Sequence, residues 1–203
     1  IPALNEAKTI ASEIAGIPRV ISGITGISVV VINDGSSANT AAEAIKAGAE
    51  VVSHDSPQGL GSVFKRGVHE ALLRGAGVVV TIDGDGQFNS GDIPQLVAPI
   101  TSGTSDFVSC SRFRTKSIEP LMPTIKRYGN YGMAWFIRTL TKAPITDAAC
   151  GFRAYSREAL LQLNLFGRFT YTQETLLDLI YKGMRYAEVP LKVRGIREFG
   201  SSR

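Results

Sequence analysis

Little in this chain invites sulfur or imidazole chemistry: it holds two cysteines, two histidines and a single tryptophan in 203 residues. Cys110 and Cys150 stand alone, with no C-x-x-C pair and no histidine at ligand spacing. Neither a disulfide framework nor a zinc site is indicated, and a reducing cytoplasm is the expected compartment. His54 and His69 lack a serine or cysteine partner in sequence and are read as structural. Also missing are the P-loop signature G-x-x-x-x-G-K-[ST], a G-x-G-x-x-G after the first strand, and the G-x-S-x-G nucleophile turn. No apolar run approaches the roughly 18 residues of a spanning helix. The first residue is Ile1 rather than methionine and the last stretch is "GSSR", so one or both ends are expected to be missing, which leaves targeting signals and flanking membrane helices open.

Charge is scarce in excess as well. The net charge is +4 and the hydrophobic content 44%, enough for one well-cored domain over residues 1–203. The mild positive balance does not call for nucleic acid; it suits an anionic substrate or an anionic membrane surface.

What is present is a strand-helix alternation. Residues 1–10 read as the stub of a first strand running into a helix; further strands are expected at 26–34, 50–55, 78–82, 105–113 and 185–193, and helices at 39–49, 60–77, 125–142, 156–163 and 173–183. The apolar face of helix 60–77 is placed at Val63, Val68, Leu72 and Leu73. The near-continuous β-branched run Val78, Val79, Val80 and Ile82 reads as a parallel strand buried on both faces. A βαβ series of this kind predicts an α/β fold, a Rossmann-like, mostly parallel central sheet flanked by helices. Residues 1–112 form the nucleotide-like half and 113–203 the acceptor half.

Polar residues gather where strands leave the sheet, the ligand-binding edge of such folds. "DGDGQ" places Asp83 and Asp85 one residue apart, and two carboxylates that close repel unless a cation lies between them. A hard divalent ion with oxygen ligands would fit; the plainer alternative is a polar turn. "NDGSSANT" repeats the theme with Asp34, which can accept the ring N–H of a nucleotide base. The alternative is helix capping by Asp34, Ser36, Ser37 and Asn39, and taken alone this stretch favours it. Asn5 and Glu6 in "IPALNE" reach the same edge, which makes Glu6 a candidate for the nucleoside pocket. "PQGLGS" (57–62) is read as a loop shaping the pocket wall.

Taken in order, "PALNE", "NDGSSANT", "DGDGQ", "SRF", "DAACGFRAYSREAL", "QETLLDLIYKGMRYAEVPL" and "GSSR" resemble family 2 glycosyltransferases of GT-A fold. The polyprenyl-phosphate sugar synthases of the dolichol-phosphate mannose synthase type are the nearest. The resemblance implies a nucleoside site at Pro2, Leu4, Glu6, Ile32 and Asp34, with Asp83 and Gly84 also on the nucleotide sugar. It implies Mg²⁺ or Mn²⁺ at Asp85 and Gln87, and phosphate contacts at Arg112 and Arg203. Arg127, Arg153, Glu174 and Ser201 are candidate acceptor contacts. The chain departs from the family at Asn33, where an aspartate is common, and at Cys150, where a serine is common.

The implied reaction is inverting transfer of a sugar from a GDP- or UDP-linked donor to a polyprenyl (dolichyl) phosphate, at the cytoplasmic face of a membrane. A metal at Asp85 and the Arg112 cation would offset charge growing on the leaving diphosphate. A lipid phosphate is already an anionic nucleophile and needs no strong base. A saccharide or protein hydroxyl acceptor would need one, with Glu174 or Asp147 as candidates. A non-catalytic nucleotide-sugar-binding module is the alternative of another class. Finally, "IKRYGNYGMAWFIRTL" combines Lys126, Arg127 and Arg138 with Tyr128, Tyr131, Trp135 and Phe136. Such a helix can lie on a membrane surface, although the reading adopted docks it on the sheet with Trp135 and Phe136 in the core.

Overall fold

The computed structural model describes residues 1–37, 39–167 and 170–194. The order begins β1 (Pro2–Ala3), α1 (Ile10–Gly16), β2 (Val30–Asn33), α2 (Thr40–Lys46), β3 (Glu50–Ser53), α3 (Leu60–Leu73) and β4 (Val78–Thr81). It continues α4 (Ile93–Thr101), β5 (Phe107–Ser111), α5 (Thr124–Thr141), β6 (Arg153–Ser156), α6 (Arg157–Gln162), α7 (Tyr171–Tyr181) and β7 (Tyr186–Pro190).

The expected α/β class forms. β1, β2 and β3 pair in parallel, as do β5 and β7. Two features differ from the sequence reading. Hydrogen bonding divides the strands into two sheets, β1-β2-β3 and β4-β6-β5-β7. Moreover, β6 runs antiparallel to both β4 and β5, so β4 has no parallel neighbour among its hydrogen-bonded partners, and its residues are half-buried rather than covered on both faces. The β-branched run does specify a strand; it does not specify the partner. A cavity of about 930 Å³ is lined by residues of both sheets and of α3 and α4, Ile1, Val30, Val63, Val78, Val80 and Val97 among others.

Two elements had no counterpart in the sequence reading. α4 contains Pro94 and Pro99, which argue against a helix. Pro94 sits in the first turn, where its missing N–H costs nothing, and Leu96 and Val97 supply a buried face. β6 is four residues long and wholly buried, yet begins with an arginine and shows no alternation.

The core has two parts. One joins Ile10, Ile14, Val31, Ile82, Leu96, Val108 and Phe152. The other lies under α5 and α7 around Phe107, Ile137, Tyr155, Leu176 and Leu179. In α3, Val63 and Phe64 are buried, but Leu73 is 70% exposed, so the apolar face ends earlier than its periodicity suggested. α5 buries only Asn130, Ala134 and Ile137. Trp135 and Phe136 are 61% and 51% exposed, which overturns the expectation that they belong to the core.

Candidate functional site

The carboxyl ends of β1, β2 and β4 are tied together by polar side chains. Asn5, at φ 60°, accepts from the Ser37 amide at 2.9 Å through its side-chain oxygen, and its own amide donates to the Ser36 hydroxyl at 3.0 Å. Left-handed backbone is tolerated by asparagine better than by most residues. Thr9, at the head of α1, donates its hydroxyl to the Gly84 carbonyl at 2.6 Å, linking the end of β1 to the end of β4. Glu6 is buried beside Thr9. Pro2 and Ile32 are register partners in the ladder, and Leu4 is half-buried at its end. Ile32 is 2% exposed and packs near Gly67 of α3. Its side chain faces inward toward α3 and also borders the cavity lined by both sheets.

Asp34 does more than sequence suggested. Its Oδ1 accepts from the Gln58 amide at 2.8 Å and lies 2.8 Å from His54 Nδ1, while Oδ2 accepts from the Gly59 amide at 3.0 Å. Gly59 is the N-cap of α3, so the carboxylate satisfies a free amide at that helix start, where negative charge is also favoured by the helix dipole. The expected capping of α2 is absent: Asn39 makes no side-chain cap, and the Ser36 and Ser37 amides go to Asn33 and Asn5. Of residues 57–62, read as a loop, only 57–59 are loop, and 60–62 open α3. The loop presses so closely on Gly35, at φ 68°, that a Cβ there would meet Ser56 and Pro57 backbone at 2.7–2.8 Å. His54, read as structural, is a direct partner of a candidate base-binding carboxylate; only its position at a strand end hinted at this.

The "DGDGQ" loop follows β4. Asp85 is buried, and its Oδ1 accepts from the Gln87 amide at 3.0 Å, closing a tight turn. The Gln87 side-chain amide donates to the Arg194 carbonyl at 3.3 Å, and the Arg194 amide returns a bond to the Gln87 carbonyl at 2.9 Å. Arg194, just after β7, is thus docked on this loop. Behind it lies Glu13 of α1, buried and bonded by the Ser90 hydroxyl at 2.7 Å. Burial raises the Glu13 pKa above its ordinary value; Ser90 opposes this, the negative charge of Asp85 adds to it, and Arg194 opposes it. Carboxylate and amide oxygens form a hard donor set that suits Mg²⁺ or Mn²⁺. Among the described residues no group of three His, Cys, Asp or Glu is placed to cage a metal.

On the other side, Arg112 follows β5 and is held by Asp147, with Nε–Oδ2 2.6 Å and Nη2–Oδ1 2.9 Å. Burial works against the Arg112 charge, and the Asp147 carboxylate more than offsets it, so the guanidinium pKa lies above its ordinary value. Asp147 is wholly buried and committed to this pair, so it is not placed to act as the base considered for a hydroxyl acceptor. Glu174 accepts from the Thr170 hydroxyl and from the Phe166 and Gly167 amides at 3.0 and 2.9 Å. The Thr170 bond foremost, against some burial, and then those amides hold its pKa below the ordinary value, which makes it a weak base. Arg153 is 0% exposed and donates to the Thr172 and Ala148 carbonyls and the Thr175 hydroxyl. It is an internal strut for α7, contrary to the expected acceptor contact. Arg127 is half-buried on α5. Arg203 and Ser201 lie outside the described residues.

With this geometry in hand, comparison with known proteins is direct. The description "Glycosyl transferase family 2" matches residues 1–163. An uncharacterized glycosyltransferase of Mycobacterium bovis is 33% identical over 204 residues, covering 100% of this chain and 87% of that protein. A dolichyl-phosphate hexose transferase of Haloferax volcanii is 34% identical over 190 residues, covering 94% and 79%. Glucosyl-3-phosphoglycerate synthase from Mycobacterium tuberculosis, in complex with Mn²⁺, uridine diphosphate and phosphoglyceric acid, superimposes with TM-score 0.72 at 26% identity, covering 100% of this chain and 69% of that one. The chain belongs to glycosyl transferase family 2, has the GT-A fold and is a glycosyltransferase.

Proposed function

We propose that the protein transfers a sugar from a GDP- or UDP-linked donor to a polyprenyl phosphate, at the cytoplasmic surface of a membrane. The observation that carries this reading is α5. No helix among the described residues is long and apolar enough to cross a membrane. α5 nevertheless turns Ile125, Tyr128, Trp135, Phe136 and Leu140 outward, beside the exposed basic residues Lys126 and Arg138, with Arg127 half-buried. Its opposite side holds the acceptor-side loops: Asn130 Oδ1 accepts from the Ala148 and Ala149 amides at 3.2 Å, and Phe113, next to Arg112, packs on Tyr131 at 5.2 Å. An apolar, cationic face backed by the Arg112–Asp147 loop suits a lipid whose headgroup is a phosphate.

On this reading Asp34 meets the nucleoside base, Glu6 and Asp83 line the donor pocket, and Asp85 with Gln87 hold the cation. The cation supplies charge stabilisation to the leaving diphosphate. Arg112 adds a fixed positive charge for a phosphate, its orientation set by Asp147. With Asp147 and Glu174 both engaged, an acceptor that is already anionic fits better than one that must be deprotonated. The Haloferax relative's name points the same way, whereas the mycobacterial neighbour's title names phosphoglyceric acid.

The test is release of nucleoside diphosphate from UDP-glucose or GDP-mannose with Mn²⁺, comparing polyprenyl phosphate, 3-phosphoglycerate and a free saccharide as acceptors. Release stimulated by polyprenyl phosphate alone is expected. Stimulation by 3-phosphoglycerate or a saccharide instead would overturn the lipid assignment.

A further inference from the structure

Asp83 lies where β4 and β6 part, and its surroundings come from the far half of the chain. The ladder pairs Thr81 with Arg153; continued by two residues, it sets Gly151 opposite Asp83. Thr81 fixes that neighbour by donating its hydroxyl to the Gly151 carbonyl at 2.7 Å. A Cβ at Gly151 would stand 2.9 Å from the Tyr171 hydroxyl and 3.3 Å from each Asp83 carboxylate oxygen. The phenol and the carboxylate therefore crowd the same small space, and only glycine leaves it to them.

Tyr171 is itself held firmly. It is 2% exposed, opens α7 and stacks on Phe64 at 4.6 Å. Arg153 grips the next turn through the Thr172 carbonyl at 2.7 Å. The ring thus cannot turn its hydroxyl away without breaking a packed core. Burial first, and the negative charge of Asp83 next, keep that hydroxyl protonated, so it approaches the carboxylate as a donor.

We propose that Tyr171 is a positioning residue for sugar transfer: together with Gly151 it confines the Asp83 carboxylate to the orientation in which it meets the sugar-diphosphate part of the donor. The inference rests on the donor site described above and adds residues from 68 to 88 positions downstream of Asp83 that no strand-end motif reveals. The nucleoside part of the donor meets Asp34 on the other sheet, so Tyr171 acts on the sugar end alone.

Titration calorimetry with Mn²⁺ tests it, using UDP against UDP-glucose and GDP against GDP-mannose. Tyr171→Phe keeps the ring and loses the donor. It should bind the nucleoside diphosphate as wild type does, bind the nucleotide sugar roughly tenfold more weakly, and raise donor KM more than it lowers kcat. Gly151→Ala should weaken nucleotide-sugar binding on its own, yet add less than that full effect on top of Tyr171→Phe, because the hydroxyl, the closest group it strikes, is gone while the Asp83 oxygens at 3.3 Å remain. Equal nucleotide-sugar affinity in Tyr171→Phe and wild type, or strictly additive effects of the two substitutions, would overturn the inference while leaving the donor site standing. A wild-type protein that binds neither nucleotide would instead overturn the donor-site reading, and this inference with it.

Discussion

Arg112 and Asp147, 35 residues apart, hold each other through paired bonds of 2.6 and 2.9 Å, and the Arg112 amide adds a third contact to the same carboxylate at 3.2 Å. Removing either partner strands a charge with little solvent. Asp147→Ala should cost about 3–5 kcal/mol of stability in urea titration. Arg112→Lys, which lacks the planar fork, should fold but turn over poorly. Should Asp147→Ala unfold at the wild-type midpoint, the pair is not the anchor described.

Asp85→Ala should abolish the Mn²⁺ dependence of donor binding, because it removes a carboxylate from an ion with few protein ligands. Asp83→Asn should be milder. Calorimetry of donor with and without metal checks this; an unchanged metal response in Asp85→Ala would refute the assignment.

Asp34→Ala is expected to act twice. Donor affinity should fall by about 1.5–3 kcal/mol, the range for a hydrogen bond to a charged group. The melting temperature should also drop, because the amides of Gln58 and Gly59 lose their acceptor and α3 its N-terminal charge. Normal donor affinity with a lower melting temperature would leave Asp34 a purely structural residue.

Glu13 gives a pH signature. Its folded pKa lies above 4.5, so over the interval just above that value the unfolded chain has released a proton that the native state still holds. The unfolded state then binds fewer protons, and stability falls as pH rises through this window. Glu13→Gln removes the titration. Relative to wild type it should gain stability as pH rises above the ordinary glutamate range, with the two converging at the acid end. A difference independent of pH in denaturant titrations would contradict the assignment.

Replacing Trp135 and Phe136 together by serine should reduce binding to vesicles containing anionic lipid while leaving the melting temperature nearly unchanged, since both side chains are mostly exposed. Vesicle cosedimentation at low and high salt reads this out. If binding persists, α5 is not the membrane-facing element.

The parts of this molecule legible in its sequence are those written by local chemistry. Strand ends at Asp34 and Asp83 followed from apolar runs meeting Gly and Asp, and α3 and α5 from period and length. α4 was hidden because Pro94 and Pro99 mask an apolar face that the first-turn position of Pro94 permits. β6 was hidden because Arg153 in a buried strand follows from its bonds to Thr172 and Thr175, on a helix not adjacent in sequence. The same holds within the site. Asp34 was singled out as an acid, but its partners His54, Gln58 and Gly59 are set by where β3 and α3 come to rest. The Arg112–Asp147 pair and the Gly151–Tyr171 wall around Asp83 depend on tertiary register, which no local pattern encodes. Trp135 and Phe136 were misjudged because amphipathic period locates an apolar face without saying what covers it.

The break between the two sheets has a dynamic consequence. Among the described residues no backbone ladder crosses from β1 to β4; the Thr9 hydroxyl and core side chains are among the contacts that join the ends of those strands. Asp34 belongs to one hydrogen-bonded unit and Asp85 to the other. A molecule that grasps both laces the seam from outside, so its binding should slow amide exchange in β2 and β4 alike, at groups it never touches.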